Sequence, residues 1–333
     1  MNGLFRALLC VILTVAVLPV ATLAAEPAVG AQKAILVTGA STGIGRNITE
    51  ALAAEGHFVY AGARKLADIA ALSAIENVQG IRLDVTVQEE IDAAVRLIDE
   101  GGRGLYAIVN NAGVNVVGPL IELDEAELDF LFDVNIYGPY RITKAFAPMI
   151  IESQGRINNI SSISGTLTGP MYGIYAMSKH AVEAFTDALA IEMGMLGVRV
   201  SAVEPGNYKS RIGDTRCQRM LSQGIDPEES YFTDYLARAV ENCRNRGENT
   251  SPEPDAVSDA VLHALFDNNP KDHYLVVPDQ FQAEITVRKA IEEVVVLNKD
   301  HEFSYSDEEL VKMLKEELET GDAFLRSITG PSQ

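Results

Sequence analysis

The sequence predicts an α/β fold built on a doubly wound parallel sheet of about seven strands, with helices on both faces. Short β-branched runs alternate with stretches of helical period from Lys33 onward. Several of these runs are apolar nearly throughout, which is typical of strands covered on both faces of a parallel sheet. A glycine-rich turn joins the first run to the first helical stretch. These observations favour repeated strand–helix–strand units with right-handed crossovers.

Seven strands follow from the apolar runs in chain order. They are predicted at Ala34–Thr38, Phe58–Ala63, Val78–Asp84, Leu105–Asn110, Arg156–Ser161, Val198–Glu204 and His273–Val277. Helical periodicity between them is clearest from Val87 to Glu100 and from Tyr175 to Leu196. No internal repeat or low-complexity tract interrupts the alternation. The sequence therefore predicts a single domain over residues 33–280.

Two segments depart from this rhythm. Residues 207–249 mix charged and apolar side chains after the sixth strand, and a long irregular connection of this kind is usually a functional lid. Residues 281–333 form a C-terminal extension with two further helical patterns, of which the second begins at a Ser306–Glu309 capping box. Its apolar stripe is expected to dock on the body of the domain. The stripe consists of Leu310, Met313, Leu314 and Leu318.

Composition excludes several classes of protein. Of the 333 residues, 47% are hydrophobic and 22% are charged, which rules out a disordered chain, a collagen-like fibre and a long coiled coil. The formal net charge of −20 repels phosphate backbones, so no nucleic-acid partner is expected. The three cysteines form neither a disulfide framework nor a CxxC zinc pair, and no metal site is predicted. Cys217 and Cys243 are expected to be free thiols, although export would allow them to pair.

Residues 1–24 are predicted to be a signal peptide or a membrane anchor. Arg6 is the only charge before Glu26, and the residues between them are apolar or small. Thr22 and Ala24 suit positions −3 and −1 of a cleavage site, whereas residues 7–25 approach the length of about 20 residues that spans a bilayer. Both alternatives place the remaining chain outside the cytoplasm. It would be exported to the periplasm or secretory pathway, or anchored to a membrane.

The segment Ile35–Gly45, ILVTGASTGIG, contains Gly39, Gly43 and Gly45 between a predicted strand and a predicted helix. Glycines at this position let the backbone approach a pyrophosphate closely, and the helix N-terminus stabilises its negative charge. The spacing is GxxxGxG rather than GxGxxG. The pattern and its context indicate a dinucleotide-binding turn.

Two further motifs, together with this turn, carry a family resemblance. The TGxxxGIG turn, the NNAG sequence at Asn110–Gly113 and the Tyr-x-x-x-Lys spacing at Tyr175 and Lys179 resemble the classical short-chain dehydrogenase/reductase family, from about Lys33 to Pro278. The resemblance implies a Rossmann-type sheet and a nicotinamide dinucleotide cofactor. It implies that the cofactor is bound by Gly39, Ser41, Gly43, Ile44, Gly45, Arg64, Asp84, Asn110, Ala112, Gly113, Tyr175, Lys179, Pro205, Gly206 and Ser210, the last standing where the family has a threonine.

The end of the second predicted strand favours NADP over NAD. An acidic residue there would accept hydrogen bonds from the ribose 2′-hydroxyl of NAD. This sequence instead has Ala63 followed by Arg64 and Lys65. Basic side chains at this position can bind the 2′-phosphate of NADP. We therefore predict NADP, with Arg64 at the 2′-phosphate.

Tyr175 and Lys179 lie four residues apart on a predicted helix, so both side chains share one face. The family has a serine thirteen residues before its tyrosine, and Ser162 stands there. By resemblance, Ser162 hydrogen-bonds the substrate oxygen, Tyr175 transfers its proton, and Lys179 lowers the pKa of the phenol and holds the nicotinamide ribose. Asn135 in DVNIYG matches the fourth catalytic member, which positions a water.

A second Tyr-x-x-x-Lys pair in the sequence provides an internal control. Tyr140 and Lys144 have the same spacing, but the residue thirteen positions before Tyr140 is Glu127. Tyr175 alone satisfies both conditions, so it is the predicted catalytic tyrosine.

These residues predict an NADP-dependent oxidoreductase that interconverts an alcohol and a carbonyl by hydride transfer. The stretch from Lys179 to Gly206 is similar to the retinol and hydroxysteroid dehydrogenase branch of the family, which implies a hydrophobic secondary alcohol or ketone as substrate. Family members often form dimers or tetramers, so a homo-oligomer is expected. The alternative is a non-catalytic NAD(P)-binding redox regulator, which would not need Ser162, Tyr175 and Lys179.

Overall fold

Seven parallel strands form one sheet in the computed structural model, which describes residues 32–320. Their order across the sheet is β3-β2-β1-β4-β5-β6-β7. The predicted doubly wound sheet is confirmed, and each strand ends within two residues of its predicted limits. The strands are β1 (Ala34–Val37), β2 (Phe58–Ala63), β3 (Val78–Arg82), β4 (Ala107–Asn110), β5 (Arg156–Ile160), β6 (Arg199–Pro205) and β7 (His273–Val276).

Helices connect the strands and extend the chain beyond them. A π-helical turn, Asp133–Tyr137, joins the fourth helix to the fifth, and short 3₁₀ turns lie at Ile163–Gly165 and Pro227–Glu229. The helices are α1 (Gly43–Ala54), α2 (Leu66–Ser73), α3 (Gln88–Glu100), α4 (Glu125–Phe132), α5 (Gly138–Glu152), α6 (Gly173–Gly194), α7 (Ile212–Ser222), α8 (Thr233–Arg244), α9 (Asp255–Phe266), α10 (Gln280–Leu297) and α11 (Asp307–Thr320).

The core consists of two apolar layers, one on each face of the sheet. Along β1, Ile35 and Val37 pack into one layer with α1 and α9, whereas Ala34 and Leu36 pack into the other with α3 and α5. Successive residues of a strand point to opposite faces. A strand that is covered on both faces must therefore be apolar throughout, which is the pattern that the sequence shows.

The sheet topology positions a crevice beyond the carboxyl ends of the strands. β1 pairs with β2 on one side and with β4 on the other, so the direction of winding reverses across β1. Ligands of open α/β sheets bind outside the carboxyl ends of the strands at such a switch point. The loops that follow β1, β4, β5 and β6 therefore surround the predicted site.

The predicted lid, residues 207–249, is mostly helical rather than irregular. It contains α7 and α8, whose apolar faces pack on each other and on Val117 and Met171. Cys217 of α7 and Cys243 of α8 form a disulfide, with their Cα atoms 5.0 Å apart. The prediction of free thiols is therefore wrong. Packing of the two helices brings the cysteines together, and a sequence separation of 26 residues does not reveal that contact.

Reduction of this disulfide is expected to destabilise the protein by about 3 kcal/mol, because the bond closes a loop of substantial length in the unfolded chain. Dithiothreitol should then lower the thermal midpoint by several degrees in a fluorescence melt. The double variant Cys217→Ser, Cys243→Ser is the control: it should melt at the lower temperature and show no response to reductant. A wild-type midpoint that is unchanged by complete reduction would contradict the prediction.

The C-terminal helices confirm one sequence prediction and correct another. The capping box is present: the Ser306 backbone N–H donates to Glu309 Oε2 at 2.8 Å, and Ser306 Oγ accepts from the Glu309 N–H. The apolar stripe of α11 does not dock as expected, since Met313 is 39% exposed and Leu318 is 75% exposed. A helical stripe specifies which face avoids water, but it does not specify a partner surface.

Two predictions about the chain ends fall outside the described residues. The signal peptide or anchor at residues 1–24 lies before residue 32, and the last part of the C-terminal extension lies after residue 320. Within residues 32–320, no helix combines the length and the apolar character that a bilayer crossing requires.

Candidate active site

Ser162, Tyr175 and Lys179 converge at the carboxyl end of β5. Ser162 caps the 3₁₀ turn after β5, and its Oγ accepts from the Ser164 N–H at 3.1 Å. Tyr175 and Lys179 lie on successive turns of α6, with Lys179 Nζ 5.8 Å from the Tyr175 ring centroid. Lys179 Nζ donates to the Ile160 carbonyl at 2.9 Å. The structure thus brings the predicted trio together on one side of the crevice.

Burial has the largest effect on the pKa values of Tyr175 and Lys179. It raises the pKa of Tyr175 to about 12, although a hydrogen bond with the Ser162 hydroxyl acts in the opposite direction. It lowers the pKa of Lys179 to about 8, and the negative charge of Glu183 offsets part of that effect. The expected lowering of the phenol pKa by Lys179 is therefore not achieved by the protein groups alone. A further positive charge in the crevice, such as an oxidised nicotinamide ring carries, is needed to favour the phenolate near neutral pH.

Asn135 is buried in the π-helical turn, and its side chain is fully engaged. Its Oδ1 accepts from the Val114 N–H at 2.8 Å, and its Nδ2 donates to the Val114 carbonyl at 2.9 Å and to Ser178 Oγ at 3.0 Å. These bonds tie the segment after β4 to α6. The side chain therefore positions the helix that carries Tyr175, and contact with a water is left to its backbone.

The glycine turn forms the close approach that its sequence predicts. Gly39 and Gly43 have φ angles of +65° and +59°, a region that residues with side chains rarely adopt. A Cβ on Gly39 would lie 2.8 Å from Ala112 Cα, so β1 and the segment after β4 could not both keep their positions. The small residues therefore let two backbone segments meet at the bottom of the crevice.

The start of α1 fits a pyrophosphate. Thr42 precedes the helix without forming a side-chain cap, and the first turn contains no acidic residue. The first backbone N–H groups of a helix have no intrahelical partners and attract anions. With Gly43 opening the helix beside Ser41 and Ile44, these N–H groups would hold the phosphates of a dinucleotide.

Thr38 and Asn111, which connect the glycine turn to the segment after β4, were not predicted as site residues from the sequence. Thr38 Oγ1 accepts from the N–H groups of Asn111 and Ala112 at 3.0 and 3.1 Å. Asn111 Nδ2 donates to the carbonyls of Thr38 and Gly39 at 2.9 and 3.1 Å. Both residues lie inside the motifs that carried the resemblance, so the motifs themselves were the available signal.

Asn110 lies at the end of β4, with its side chain directed into the interior. Its side chain is buried, and Nδ2 donates to Asn159 Oδ1 at 2.9 Å and to Thr143 Oγ1 at 3.2 Å. Asn110 therefore links β4 to β5 and α5 in the interior, and only its backbone can border the adenosine ribose. Ala112 and Gly113, which follow, line that side of the crevice through their backbones.

Arg64 and Asp84 meet at the adenosine corner of the predicted site. Arg64 follows β2, Asp84 follows β3, and Arg64 Nη1 lies 3.7 Å from Asp84 Oδ2. Asp84 Oδ1 also accepts from Thr86 N and Oγ1 at 3.0 and 2.8 Å. The Arg64 side chain is 64% exposed, so its guanidinium is accessible to a phosphate from solvent.

The segment after β6 contacts the glycine turn. A Cβ on Gly43 would lie 3.0 Å from Ser210 Cα, so Ser210 lies directly against the turn. Between them and the lid is a cavity of about 850 Å³, whose wall includes the basic side chains of Arg46, Lys209, Arg211 and Arg246. Gln282 of α10, which the sequence analysis did not single out, holds the Pro205–Gly206 segment by accepting from the Asn207 N–H at 2.8 Å.

A partly buried ion pair connects the lid to the body of the domain. Arg219 of α7 donates to both carboxylate oxygens of Glu127 at 2.6 and 2.7 Å, and its guanidinium lies 3.8 Å from the Phe130 ring centroid. Tyr172 Oη accepts from Arg216 Nη1 of the lid at 2.7 Å. Tyr140, the control tyrosine, is 48% exposed on α5, whereas Tyr175 is on α6 beside Ser162.

A family model described as short chain dehydrogenase matches residues 33–220. Among curated proteins, the chain is 34% identical to the mitochondrial D-beta-hydroxybutyrate dehydrogenase of Bos taurus, over 73% of this chain and 76% of that protein. It is 30% identical to retinol dehydrogenase 16 of Rattus norvegicus, over 73% of this chain and 80% of that protein.

Solved structures show the same fold. A short-chain dehydrogenase from Streptomyces avermitilis matches with a TM-score of 0.66 at 27% identity, covering 81% of this chain and 96% of that chain. A metagenomic short-chain oxidoreductase in complex with NADP has a TM-score of 0.57 at 27% identity, covering 74% and 97%. A 3-oxoacyl-[acyl-carrier protein] reductase with bound NAD from Brucella melitensis has a TM-score of 0.57 at 26% identity, covering 74% and 89%. Both nicotinamide cofactors thus occur among similar structures.

Proposed function

Because the chain belongs to the short-chain dehydrogenase/reductase family of oxidoreductases, we propose that it interconverts an alcohol and a carbonyl by hydride transfer with NADP. The observation that carries the proposal is the convergence of Ser162, Tyr175 and Lys179 at the carboxyl end of β5. Binding of a dinucleotide alone would not require that trio.

Each member of the trio has a distinct task. The nicotinamide supplies or accepts the hydride when bound. Ser162 Oγ donates to the substrate oxygen, and in the direction of reduction Tyr175 Oη gives it a proton. Lys179 Nζ stabilises the resulting phenolate and holds the ribose hydroxyls. Asn135 keeps α6 in register with the segment after β4 through its bonds to Ser178 and Val114.

NADPH oxidation against a panel of carbonyl compounds tests this function. The panel comprises steroid and retinoid carbonyls, short sugar carbonyls and small oxo acids, with NADPH binding followed by its fluorescence. Turnover of at least one carbonyl is expected. NADPH that binds with enhanced fluorescence but is never oxidised would reject the enzyme in favour of a redox regulator.

We further propose a hydrophobic secondary alcohol or ketone as substrate. The 30% identity to retinol dehydrogenase 16 supports it, because retinol is an apolar alcohol. Turnover on the sugar carbonyls alone would reject this substrate class.

A second candidate substrate is a small hydroxy acid or oxo acid. Arg216 of α7 supports it, because its guanidinium donates to Tyr172 Oη. Tyr172 lies only three residues before Tyr175 in the chain. A guanidinium binds a carboxylate in a bidentate geometry. Preferential turnover of oxo acids over uncharged ketones in the panel would select this candidate.

Arg64→Asp is expected to change the choice of cofactor. The substitution removes the cation that lies beside Asp84 and adds a negative charge that repels a 2′-phosphate, so KM for NADPH should rise by about 10- to 100-fold while KM for NADH stays similar or falls. Initial rates with both cofactors measure the effect. Arg96→Asp, an exposed position on α3, is the charge-matched control, and an equal response of the two variants would contradict the assignment of Arg64.

The cellular location and the oligomeric state are also proposed. The apolar leader and the Cys217–Cys243 disulfide support export or membrane anchoring, because disulfides persist mainly in oxidising compartments. Fractionation and N-terminal sequencing of the mature protein test this.

Exposed Tyr137 and Tyr140, with Phe185, border an apolar hollow of about 420 Å³, which supports a homo-oligomer that light scattering would detect.

A further inference from the structure

Four charged side chains form a cluster behind the catalytic lysine. They come from α6, β6 and β7, and we call them the acid–histidine cluster: Glu183, Asp187, Glu204 and His273. His273 Nδ1 is hydrogen-bonded to Glu204 Oε1 at 2.9 Å, and its Nε2 to Asp187 Oδ1 at 2.8 Å. The carboxylates, with Asp187 contributing most, raise the pKa of His273 to about 12, so the ring is an imidazolium at neutral pH.

The acid–histidine cluster contains three carboxylates, whereas its histidine has at most two N–H groups to donate. An imidazolium has two N–H donors, and Glu204 and Asp187 receive them. Glu183 Oε2 forms an ion pair with His273 Nδ1 at 3.2 Å, which helps to raise the pKa of His273, but neither oxygen of Glu183 has a well-aligned hydrogen-bond partner among the described residues, and both are inaccessible to solvent. A buried carboxylate in that state is costly unless another positive charge stabilises it.

Lys179 supplies that positive charge. It lies one helical turn before Glu183 on α6, its side chain is buried, and the negative charge of Glu183 favours its ammonium form. The carboxylate also lies directly under the turn that presents Ser162: a Cβ on Gly165 would come within 2.8 Å of Glu183 Cγ. Glu183 therefore connects the catalytic lysine to the acid–histidine cluster.

We propose that Glu183 is a positioning residue of the catalytic site, whose carboxylate keeps Lys179 charged and in place, while His273 holds that carboxylate. The inference rests on the proposed function, since it concerns the lysine of that site. Polar and charged groups from four elements surround Lys179 and Glu183. They are Tyr175 and Asp187 of α6, Ser162 of the turn after β5, Glu204 of β6 and His273 of β7. Removing one negative or one positive charge from this set should act on the Tyr175–Lys179 pair with opposite signs.

The pH profile of carbonyl reduction tests this. Carbonyl reduction requires that Tyr175 and Lys179 are both protonated. The rate therefore falls on the alkaline side of the profile as the first of these two groups loses its proton. In Glu183→Gln, the loss of a negative charge moves this fall to lower pH by about one unit, while at pH 6 the rate stays within about threefold of wild type. In His273→Gln, the loss of a positive charge moves the fall to higher pH. Glu183→Asp, which keeps the charge, retains a profile close to wild type.

Glu192→Gln is the matched control, because it makes the same change at an exposed position of the same helix. A profile of Glu183→Gln that superimposes on wild type, or one that is lowered equally at every pH, would overturn the positioning role while leaving the oxidoreductase in place. Shifts of the same sign in Glu183→Gln and His273→Gln would also overturn it. Absence of turnover in the wild-type protein would instead remove the proposed function, and this inference with it.

Discussion

Tyr175→Phe is expected to lower the rate of carbonyl reduction by about a thousandfold, because a positioned general acid contributes roughly 10²- to 10⁴-fold. Phenylalanine keeps the ring packed and removes only the hydroxyl that faces Ser162. The hydroxyl that gives its proton to the substrate oxygen is then missing, while the bond from Lys179 Nζ to the Ile160 carbonyl is kept. Single-turnover oxidation of NADPH measures the chemical step directly.

The same variant should bind the cofactor almost normally. The glycine turn, Asp84 and Arg64 are untouched, so the affinity for NADPH should stay within about threefold of wild type. Tyr140→Phe is the matched control, because it removes a phenol with the same lysine spacing from an exposed position on α5. Activity of Tyr175→Phe that equals the activity of Tyr140→Phe would defeat the catalytic assignment.

Gly39→Ala is expected to weaken NADPH binding by about a hundredfold and to abolish turnover at ordinary cofactor concentrations. A left-handed backbone costs a residue with a side chain about 1–2 kcal/mol. The new Cβ would also lie 2.8 Å from Ala112 Cα, which is backbone and cannot rotate away. The turn must open, and its N–H groups then leave the pyrophosphate. Fluorescence titration with NADPH gives the affinity.

Gly102→Ala separates the two causes. Gly102 has a φ of +64°, almost the same as Gly39, but nothing lies within 4 Å of the Cβ that it would gain. Backbone strain is therefore present in both variants, and the close contact is present in one. Gly102→Ala should lose some stability and keep its cofactor affinity. Equal affinities for NADPH in the two variants would show that the approach of β1 to the segment after β4 does not form the cofactor site.

Local chemistry explains what the sequence predicted well. The strands were found because a strand buried on both faces is apolar at every position, as Ala34–Val37 shows. Tyr175 and Lys179 were predicted from the Tyr-x-x-x-Lys motif of the family, whose spacing places both side chains on one face of a helix. Ser162 came from a family spacing, and the structure brings its hydroxyl to Tyr175. In each case the signal lies within a short stretch of chain.

Other features depend on contacts between distant residues. The Cys217–Cys243 disulfide was predicted wrongly because only the packing of α7 on α8 brings the two thiols together. The stripe on α11 was expected to dock, but periodicity defines a face without defining its partner. The contacts of the Asn110 amide with Asn159 and Thr143 in the interior likewise depend on the fold.

By itself, the sequence determined the seven-stranded sheet and the glycine turn, and it predicted the three residues proposed here as the catalytic trio, since each signal lies in residues close together along the chain. Tertiary structure decided the surroundings that set how the trio behaves. Glu183 is visible in the sequence as the next residue on the Tyr175–Lys179 face, but its burial without a well-aligned hydrogen-bond partner depends on Glu204 and His273 of two other strands. Charge interactions act through space, so only the assembled fold could show which groups face Lys179.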